Sequence, residues 1–234
     1  MTQANRTPTV ELDKVTKRYR QGEVQVDALR SLSLRIERGE FTALCGPSGS
    51  GKTTALNLIG ALDRPTSGRV SIEGRDLAPL SRRELSRLRR DRIGFVFQAY
   101  NLMPVLTAYE NAEMVLALQG VDESQRRTRV IELLRDVGLE GLEHRRPDEL
   151  SGGQQQRVAI ARAIASNPAI VLADEPTANV DSDTAENLLE IMENLNRERS
   201  VTFLFSTHDP RVMERARRIV RIVDGQVAAD DRRL

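Results

Sequence analysis

Short apolar runs bounded by polar or turn residues recur along the chain and predict buried β-strands. The runs are Phe41–Cys45, Ile93–Phe97, Ile170–Ala173 and Val201–Phe205. Apolar and polar residues alternate in Val10–Val15 and again in Leu32–Ile36, which predicts strands with one face in solvent. Val70–Ile72 is expected to form a further strand.

Apolar residues at helical spacing fill most of the sequence between these strands. The predicted helices are Thr53–Leu62, Ser81–Arg90, Glu110–Gln119, Ser124–Val137, Ser151–Ala165 and Ser182–Arg199. Ile219–Val223 and Gln226–Ala229, separated by Asp224-Gly225, predict a closing hairpin. The alternation of strands and helices predicts an α/β fold.

The middle of the sequence differs from the rest because helical periodicity dominates it. We therefore expect one domain over residues 9–230, in which a helical lobe at about 99–165 interrupts a core formed by about 9–98 and 166–230. Residues 1–8 are expected to form a loose tail.

The composition excludes several classes of function. The 234 residues include 35 Lys plus Arg and 34 Asp plus Glu, so the net charge of +1 gives no overall attraction to nucleic acid or anionic lipid. No apolar run reaches the roughly 18 residues that a membrane-spanning helix needs, so we expect no membrane span. One cysteine, Cys45, and two histidines argue against a disulfide or a histidine-built metal centre. The polar first eight residues predict no secretory signal and a cytoplasmic protein.

A phosphate-loop pattern follows the first buried strand, in the segment Gly46-Pro47-Ser48-Gly49-Ser50-Gly51-Lys52-Thr53. Its glycines permit a tight wrap in which backbone N–H groups face one centre, and the loop ends at a helix N-terminus, which favours an anion. Lys52 can reach the outer phosphates of a nucleotide, and the Thr53 hydroxyl can bind Mg²⁺. The alternative interpretation is an ordinary Gly/Ser turn between a strand and a helix.

Two acidic residues, Asp174 and Glu175, end the buried strand Ile170–Ala173. In a phosphate-loop protein an aspartate at this place holds Mg²⁺, which predicts that role for Asp174. Glu175 is then the candidate general base that activates water toward the γ-phosphate. Taken alone, a strand that ends in two acids is also common at protein surfaces.

A second glycine-rich helix start is the segment Leu150-Ser151-Gly152-Gly153-Gln154-Gln155-Gln156-Arg157. Ser151 is a good N-cap, and Gly152 and Gly153 leave the first turn bare, so phosphate oxygens can approach its N–H groups. Taken alone, the segment is also compatible with an ordinary capped helix.

In their order along the chain, these motifs resemble those of the nucleotide-binding subunits of ABC transporters, with Leu150–Gln154 as the family signature. The resemblance covers about Val10 to Val227. It implies an ATP-hydrolysing, P-loop NTPase of the ABC cassette type that uses ATP and Mg²⁺. The implied fold is a RecA-like α/β core with an antiparallel β edge and an inserted helical subdomain.

The resemblance also implies roles for residues that carry little signal by themselves. Tyr19 matches the aromatic residue that stacks on adenine, Gln98 the glutamine that touches Mg²⁺ and senses the membrane partner, and His208 the histidine that contacts the γ-phosphate. Asn179-Val180-Asp181 matches the loop after the acidic strand, where the family more often has Leu in place of Val180. The implied nucleotide-binding residues are Tyr19, Gly46, Pro47, Ser48, Gly49, Ser50, Gly51, Lys52, Thr53, Thr54, Gln98, Ser151, Gly152, Gly153 and Gln154. The implied metal ligands are Thr53, Gln98 and Asp174, and the implied catalytic residues are Glu175 and His208.

The two phosphate-binding segments lie about 100 residues apart, and the resemblance implies that they do not meet within one chain. Two copies would pair head to tail in an ATP-dependent homodimer, with each ATP between the phosphate loop of one copy and Ser151–Gln154 of the other. A separate membrane permease would be the second partner, which places the protein on the inner face of the cell membrane.

The sequence around Gln98 resembles one branch of the family, which includes lipoprotein-release, macrolide-export and cell-division ATPases. The resemblance lies in Arg92–Gln98, Asn101–Pro104, Leu106–Ala108 and Glu110-Asn111. It implies a permease of the export or lipoprotein-release type; the alternative is a mechanotransmitting complex of the cell-division type that moves no substrate. A third class, a soluble ATPase of DNA repair or translation, is disfavoured. Only about 120 residues separate Lys52 from Asp174, which leaves no room for the long coiled coils of repair-type members, and the sequence has one cassette where translation-type members have two. The basic stretch Arg82–Arg92 permits a nucleic-acid patch, although a solvated helix face is the better interpretation, and we expect no nucleic-acid partner.

Overall fold

The computed structural model describes residues 7–22 and 24–233. Its elements in chain order are β1 (Val10–Gln21), β2 (Val24–Ile36), β3 (Phe41–Cys45), α1 (Lys52–Ile59), β4 (Ser67–Ile72), β5 (Arg75–Asp76), α2 (Arg82–Arg92), β6 (Ile93–Phe97), α3 (Ala108–Leu118), α4 (Glu123–Asp136), a 3-10 turn (Pro147–Glu149), α5 (Gly152–Ala165), β7 (Ile170–Asp174), α6 (Ser182–Arg199), β8 (Phe203–Ser206), α7 (Pro210–Arg215), β9 (Arg218–Val223) and β10 (Gln226–Arg232). The first six residues of the expected N-terminal tail lie outside the described residues.

A six-stranded sheet in the order β10-β9-β3-β8-β7-β6 forms the centre of the fold. Strands β9, β3, β8, β7 and β6 run parallel, and β10 adds an antiparallel strand beside β9. Alternate residues of the central strands enter two different cores: Val171 and Ala173 pack into one, and Ile170 and Leu172 into the other. The strands therefore read as continuous apolar runs, as expected for a sheet covered on both faces.

The register of these strands places the ends of four of them in one row. Leu44 of β3 pairs with Ser206 of β8, Ser206 pairs with Asp174 of β7, and Asp174 pairs with Phe97 of β6. Because the strands are parallel, the loops that follow them all leave the same edge of the sheet, where ligands bind in open α/β sheets.

A smaller antiparallel sheet, in the order β2-β1-β4-β5, packs its apolar residues with those of α1. β1 and β2 are longer than predicted: β1 continues from Val15 to Gln21, and β2 begins at Val24 instead of Leu32. Irregular pairing between residues 12 and 18 and a positive φ at Ser31 break the alternation of apolar and polar residues. The period of two therefore ends within each strand, and the predicted strand Val10–Val15 already includes the first register shift, between Leu12 and Val15.

Helices α3, α4 and α5 pack on one another, and α5 also packs on β6. The division of the chain into a core and a helical lobe stays a prediction. The short helix α7 was missed; Asp209 caps it and Pro210 occupies its first turn, a weak signal in only six residues. Within residues 7–22 and 24–233, no helix is both long and apolar enough to cross a bilayer.

Arg218, at the start of β9, is a buried cation that joins three parts of the fold. Its guanidinium donates to the Asp230 carboxylate at 2.7 and 2.8 Å, to Glu40 Oε2 at 2.7 Å and to the Arg35 carbonyl oxygen at 2.7 Å. The hydrogen bond from Arg218 is the main reason that the pKa of Asp230 lies below its usual value, although partial burial opposes the shift. These bonds fix the β9–β10 hairpin to the turn before β3.

We expect Asp230→Asn to lower the free energy of unfolding at pH 7. The loss should be only about 0.5–1 kcal/mol, because solvent screens a carboxylate whose side chain is 38% exposed. A carboxylate whose pKa is lowered by folding stabilises the folded chain above its unfolded pKa of about 3.9, and this stabilisation disappears as the pH falls below that value. Urea unfolding at pH 7 and pH 3 measures both effects, with the exposed Asp231→Asn as the control. Equal stability of Asp230→Asn and the unmodified chain at pH 7 would contradict this prediction.

Candidate functional site

The loop between β3 and α1 packs so closely on its neighbours that two of its glycines, Gly46 and Gly51, leave no space for a side chain. Gly46 and Gly51 have φ of +148° and +105°, a region that side chains rarely adopt. A Cβ on Gly46 would overlap the Ile222 carbonyl oxygen, and a Cβ on Gly51 would lie 2.5 Å from the Ala28 carbonyl oxygen. The shape of the loop is therefore set by packing within the chain.

The start of α1 offers donors to a ligand. Gly51 is the N-cap, no side chain caps the helix, and its first turn holds no acidic residue. Lys52 Nζ donates to the carbonyl oxygens of Gly46 and Pro47 at 2.8 and 3.0 Å, so the lysine lies across the loop. The buried Ser50 Oγ has no hydrogen-bond partner among the described residues. A bare helix N-terminus, a lysine and an unpaired buried hydroxyl fit a phosphate group. The exposed residues around them are Pro47, Ser48, Gly49 and Thr53, with Thr54 half-buried.

The acidic pair lies at the end of β7, on the same edge of the sheet. Glu175 directly follows the row of paired strand ends, with φ of +46°, and its N–H donates to the Ser206 carbonyl oxygen at 2.9 Å. One carboxylate oxygen of Glu175 lies 2.6 Å from His208 Nδ1, and the other accepts a hydrogen bond from Thr207 Oγ1 at 3.0 Å. The structure thus joins the two predicted catalytic residues and adds Thr207, which sequence reasoning missed.

The segment after His208 is tied to the loop after Glu175. Asp209 Oδ2 accepts a hydrogen bond from Thr177 Oγ1 at 2.7 Å, and Arg211 donates to the same carboxylate at 2.8 Å. Burial alone would raise the pKa of Asp209, but the hydrogen bonds from Arg211 and Thr177 outweigh it and the pKa is lowered. Asp209 therefore holds two loops of the site together as a charged group.

Gln98 follows β6 and lies against the loop that contains Asn179. The Asn179 side chain donates to the Gln98 carbonyl oxygen at 2.9 Å, and the Gln98 side chain donates to Asn179 Oδ1 at 3.3 Å. Tyr100 OH donates to the Asn179 carbonyl oxygen at 3.1 Å. Arg162 of α5 donates to the carbonyl oxygens of Tyr100 and Asn101 at 2.9 and 2.5 Å, and burial lowers its pKa. The loop that begins at Gln98 is thus hydrogen-bonded to the Asn179 loop on one side and to α5 on the other.

The N-terminus of α5 is capped by the chain's own residues. Ser151 Oγ accepts from the Gln154 N–H at 3.3 Å, and the Gln154 side chain accepts from the Ser151 N–H at 2.9 Å, which forms a capping box. Ser151 is exposed, whereas Gly153 is buried, and a Cβ there would overlap Thr184 Cγ2. A Cβ on Gly152 would lie 2.7 Å from Tyr100 OH. Gly153 is therefore needed for packing within the chain, whereas a side chain at position 152 would displace the Tyr100 hydroxyl.

Gln156, one turn into α5, is a second residue that sequence reasoning did not assign. It is completely buried, and its side-chain amide donates to the Pro176 carbonyl oxygen at 2.6 Å and to the Phe97 carbonyl oxygen at 3.4 Å. It connects α5 to the loops that carry Glu175 and Gln98. Among the described residues, no hydrogen bond joins Ser151–Gln154 to the phosphate loop.

Tyr19 lies on β1 and is 36% exposed. Its OH donates to Asp63 at 2.9 Å, and Lys17 Nζ lies 4.8 Å from the ring centroid. Burial and then the bond to Asp63 raise the pKa of Tyr19, while Thr54 of α1 opposes the shift. The ring is therefore fixed near the start of α1, and its stacking on adenine stays a prediction.

Comparison with known proteins identifies the family. The family model described as ABC transporter matches residues 29–178. The chain belongs to the ABC transporter family. It is 51% identical to the lipoprotein-releasing system ATP-binding protein LolD of Anaeromyxobacter dehalogenans, over 96% of this chain and 94% of that protein. It is 49% identical to the macrolide export ATP-binding/permease protein MacB of Syntrophobacter fumaroxidans, over 93% of this chain but only 31% of that longer protein.

Solved structures agree with this assignment. The chain is 46% identical, with a TM-score of 0.87, to the ATP-binding cassette MJ0796 of Methanocaldococcus jannaschii in a dimeric post-hydrolysis state bound to ADP and Pi. The match covers 95% of this chain and 98% of that one. The predicted P-loop ABC fold is confirmed, and the chain is an ABC-type ATPase that binds and hydrolyses ATP.

We expect Gly153→Ala to destabilise this ABC ATPase by about 1–3 kcal/mol, because the new methyl group overlaps Thr184 Cγ2. Thr184→Ser removes that carbon but keeps the hydroxyl that bonds to Asp181 at 2.7 Å. In the Thr184→Ser background, Gly153→Ala should therefore become neutral or stabilising, since Ala has the higher helix propensity. A double-mutant cycle by chemical denaturation measures the coupling. Additive effects of the two substitutions would show that this contact does not require the glycine.

Proposed function

We propose that this ABC ATPase drives a separate membrane permease of the export or lipoprotein-release type. The proposal depends above all on one edge of the sheet, where Asp174 ends β7 and the phosphate loop, Glu175 and His208 follow strands that end in one row. The identities of 51% and 49% to proteins named for lipoprotein release and macrolide export support this branch of the family.

ATP with Mg²⁺ fits the groups at this edge. The N–H groups at the start of α1 and Lys52 would bind the phosphates, and Tyr19 would pack on adenine. The hydroxyl of Thr53 and the carboxylate of Asp174 would hold Mg²⁺, with Gln98 beside them, since this ion prefers oxygen ligands and keeps few protein contacts. When bound, Mg²⁺ neutralises the charge of the phosphate oxygens.

Glu175 is the proposed general base. Its carboxylate is mostly buried, with 20% of the side chain exposed, and each of its oxygens has a hydrogen-bond partner. A base must be fixed within hydrogen-bond reach of the proton that it accepts, and these two contacts restrict its side chain. The His208 side chain is 79% exposed and would contact the γ-phosphate from the same place.

A second copy of the chain is the proposed partner at the nucleotide. Ser151 is exposed, and the first turn of α5 begins with two glycines and holds no acidic residue, so this helix end can receive an anion. Among the described residues, no hydrogen bond joins it to the phosphate loop of the same chain. A symmetric dimer would place this helix end of one copy against the ATP of the other, which gives two composite sites. The dimeric structure of the related cassette supports this arrangement.

The proposed permease contact is an apolar groove of about 400 Å³ beside the Gln98 loop. Its apolar wall includes Leu62, Phe95, Val115 and Leu118. Phe97 and Asn101, which lie on either side of Gln98 in the sequence, also line the groove, as do Arg89 and Arg90. A partner bound there would press directly on the Gln98 loop. Through such a contact the protein would be peripheral on the inner face of the membrane.

Glu175→Gln should abolish turnover without weakening ATP binding, because the amide keeps the size of the side chain but cannot accept a proton. We expect ATP turnover to fall by at least about a hundredfold. Steady-state hydrolysis and fluorescent-nucleotide titration measure the two properties, with the exposed Glu140→Gln as the matched control. Turnover within a few-fold of the unmodified protein would contradict the proposed base.

The composite site can be tested by mixing two inactive variants. Lys52→Ala disables the phosphate loop; Ser151→Asp keeps a residue that can cap α5 but places a negative charge toward phosphate. In a mixed dimer of the two variants, one composite site contains both substitutions and the other contains neither. Mixing should therefore restore turnover to about a quarter of the unmodified level, half of the dimers being mixed with one intact site each.

Ser151→Asn is the control for this experiment, because it keeps the cap without the charge. The double variant Lys52→Ala/Ser151→Asp mixed with unmodified chain should have no intact site in its mixed dimers. If mixing the two single variants restores nothing while each still forms dimers, Ser151 does not serve the nucleotide of the other copy.

A further inference from the structure

Thr207 is a buried hydroxyl between the two halves of the site, and the proposed mechanism does not use it. Its side chain is completely buried, and its Oγ1 lies 3.0 Å from Glu175 Oε2. We propose that Thr207 is a positioning residue for ATP hydrolysis, whose hydroxyl holds the Glu175 carboxylate in place relative to the phosphate loop. This inference rests on the proposed role of Glu175 as the general base.

The direction of the Thr207 proton follows from its other contact. Thr207 Oγ1 accepts a hydrogen bond from the Asp209 N–H at 2.9 Å. A hydroxyl group has one proton to donate, and with an N–H donor on one side that proton is directed to the remaining acceptor, Glu175 Oε2. A donor to an ionised carboxylate also makes one of the stronger hydrogen bonds in proteins.

The backbone of Thr207 fixes this hydroxyl with respect to the nucleotide-binding loop. The Thr207 N–H donates to the Leu44 carbonyl oxygen at 3.1 Å, and Leu44 lies two residues before Gly46, where the phosphate loop begins. Thr207 therefore joins the strand that carries the phosphate loop to the carboxylate of Glu175. A change in either position would alter the distance between the base and the γ-phosphate.

The second contact of Glu175 does not provide the same constraint. His208 Nδ1 lies 2.6 Å from Glu175 Oε1, but the His208 side chain is 79% exposed and has its own proposed task at the γ-phosphate. The backbone of Glu175 has φ of +46°, a conformation that is uncommon for residues other than glycine. Of the two contacts to the Glu175 carboxylate, the one from the buried Thr207 hydroxyl is therefore the more restricted.

Thr207→Val tests the proposal, because it keeps the branched shape and replaces the hydroxyl group with a methyl group that can neither donate to Glu175 nor accept from the Asp209 N–H. We expect kcat to fall by about tenfold to a hundredfold, with KM for ATP and nucleotide affinity within about twofold. Thr207→Ser, which keeps the hydroxyl, should retain most of the turnover. Thr128→Val, the same change at an exposed position of α4, is the control. If Thr207→Val does not fold, Thr207→Ala compared with Thr207→Ser isolates the hydroxyl in the same way.

The Glu175→Gln background separates failure of this inference from failure of the proposed base. If Thr207 acts through Glu175, Thr207→Val should cause little further loss when Glu175 is already Gln. If Glu175→Gln is inactive while Thr207→Val keeps full turnover, the base stands and the positioning role is wrong. If Glu175→Gln retains near-normal turnover, the proposed base is wrong and this inference falls with it. An equal loss of kcat in Thr207→Val and Thr207→Ser would also overturn the inference, since the loss would then not depend on the hydroxyl.

Discussion

The parallel pairing of β3, β8, β7 and β6 is the constraint on which the site depends. The pairs Leu44–Ser206, Ser206–Asp174 and Asp174–Phe97 form one row across the sheet. The loops that follow these strands therefore leave the sheet side by side, although β3 and β8 are more than 100 residues apart in sequence. Polar groups in neighbouring loops can then contact one another through short side chains. A shift of one residue in any strand would turn its apolar side chains from one core to the other, so burial protects the register.

Helix α5 contacts several parts of the site. Its exposed N-terminus carries Ser151, while buried Gln156 bonds to the carbonyl oxygens of Pro176 and Phe97. Two turns further on, Arg162 bonds to the loop after Gln98. These hydrogen bonds connect α5 to the loops that carry Gln98 and Glu175. The proposed contacts with a second copy and with a permease thus both involve α5, through Ser151 at its N-terminus and Arg162 in the wall of the groove.

The sequence predicts the buried strands, the long helices and the phosphate loop because each depends on local residue order. The apolar runs that became β3, β6 and β7 are unambiguous, and the glycines of Gly46–Gly51 are required by the loop that they form. The contacts of Thr207, Gln156 and Arg162 could not be predicted, since they depend on which distant backbone groups the fold brings beside them. The predicted strands are shorter than β1 and β2, because irregular pairing interrupts the alternation of apolar and polar residues in both.

The composite ATP site is the central claim, and a structure of Glu175→Gln bound to ATP and Mg²⁺ tests it most directly. We expect two chains related by a twofold axis, with the phosphates of each ATP contacted by Lys52 of one copy and by Ser151 of the other. The Thr207 hydroxyl should then still donate to the side-chain oxygen at position 175. A structure in which each ATP contacts Lys52 and Ser151 of the same chain, or in which the Ser151 segment faces solvent in a stable ATP-bound dimer, would contradict the claim.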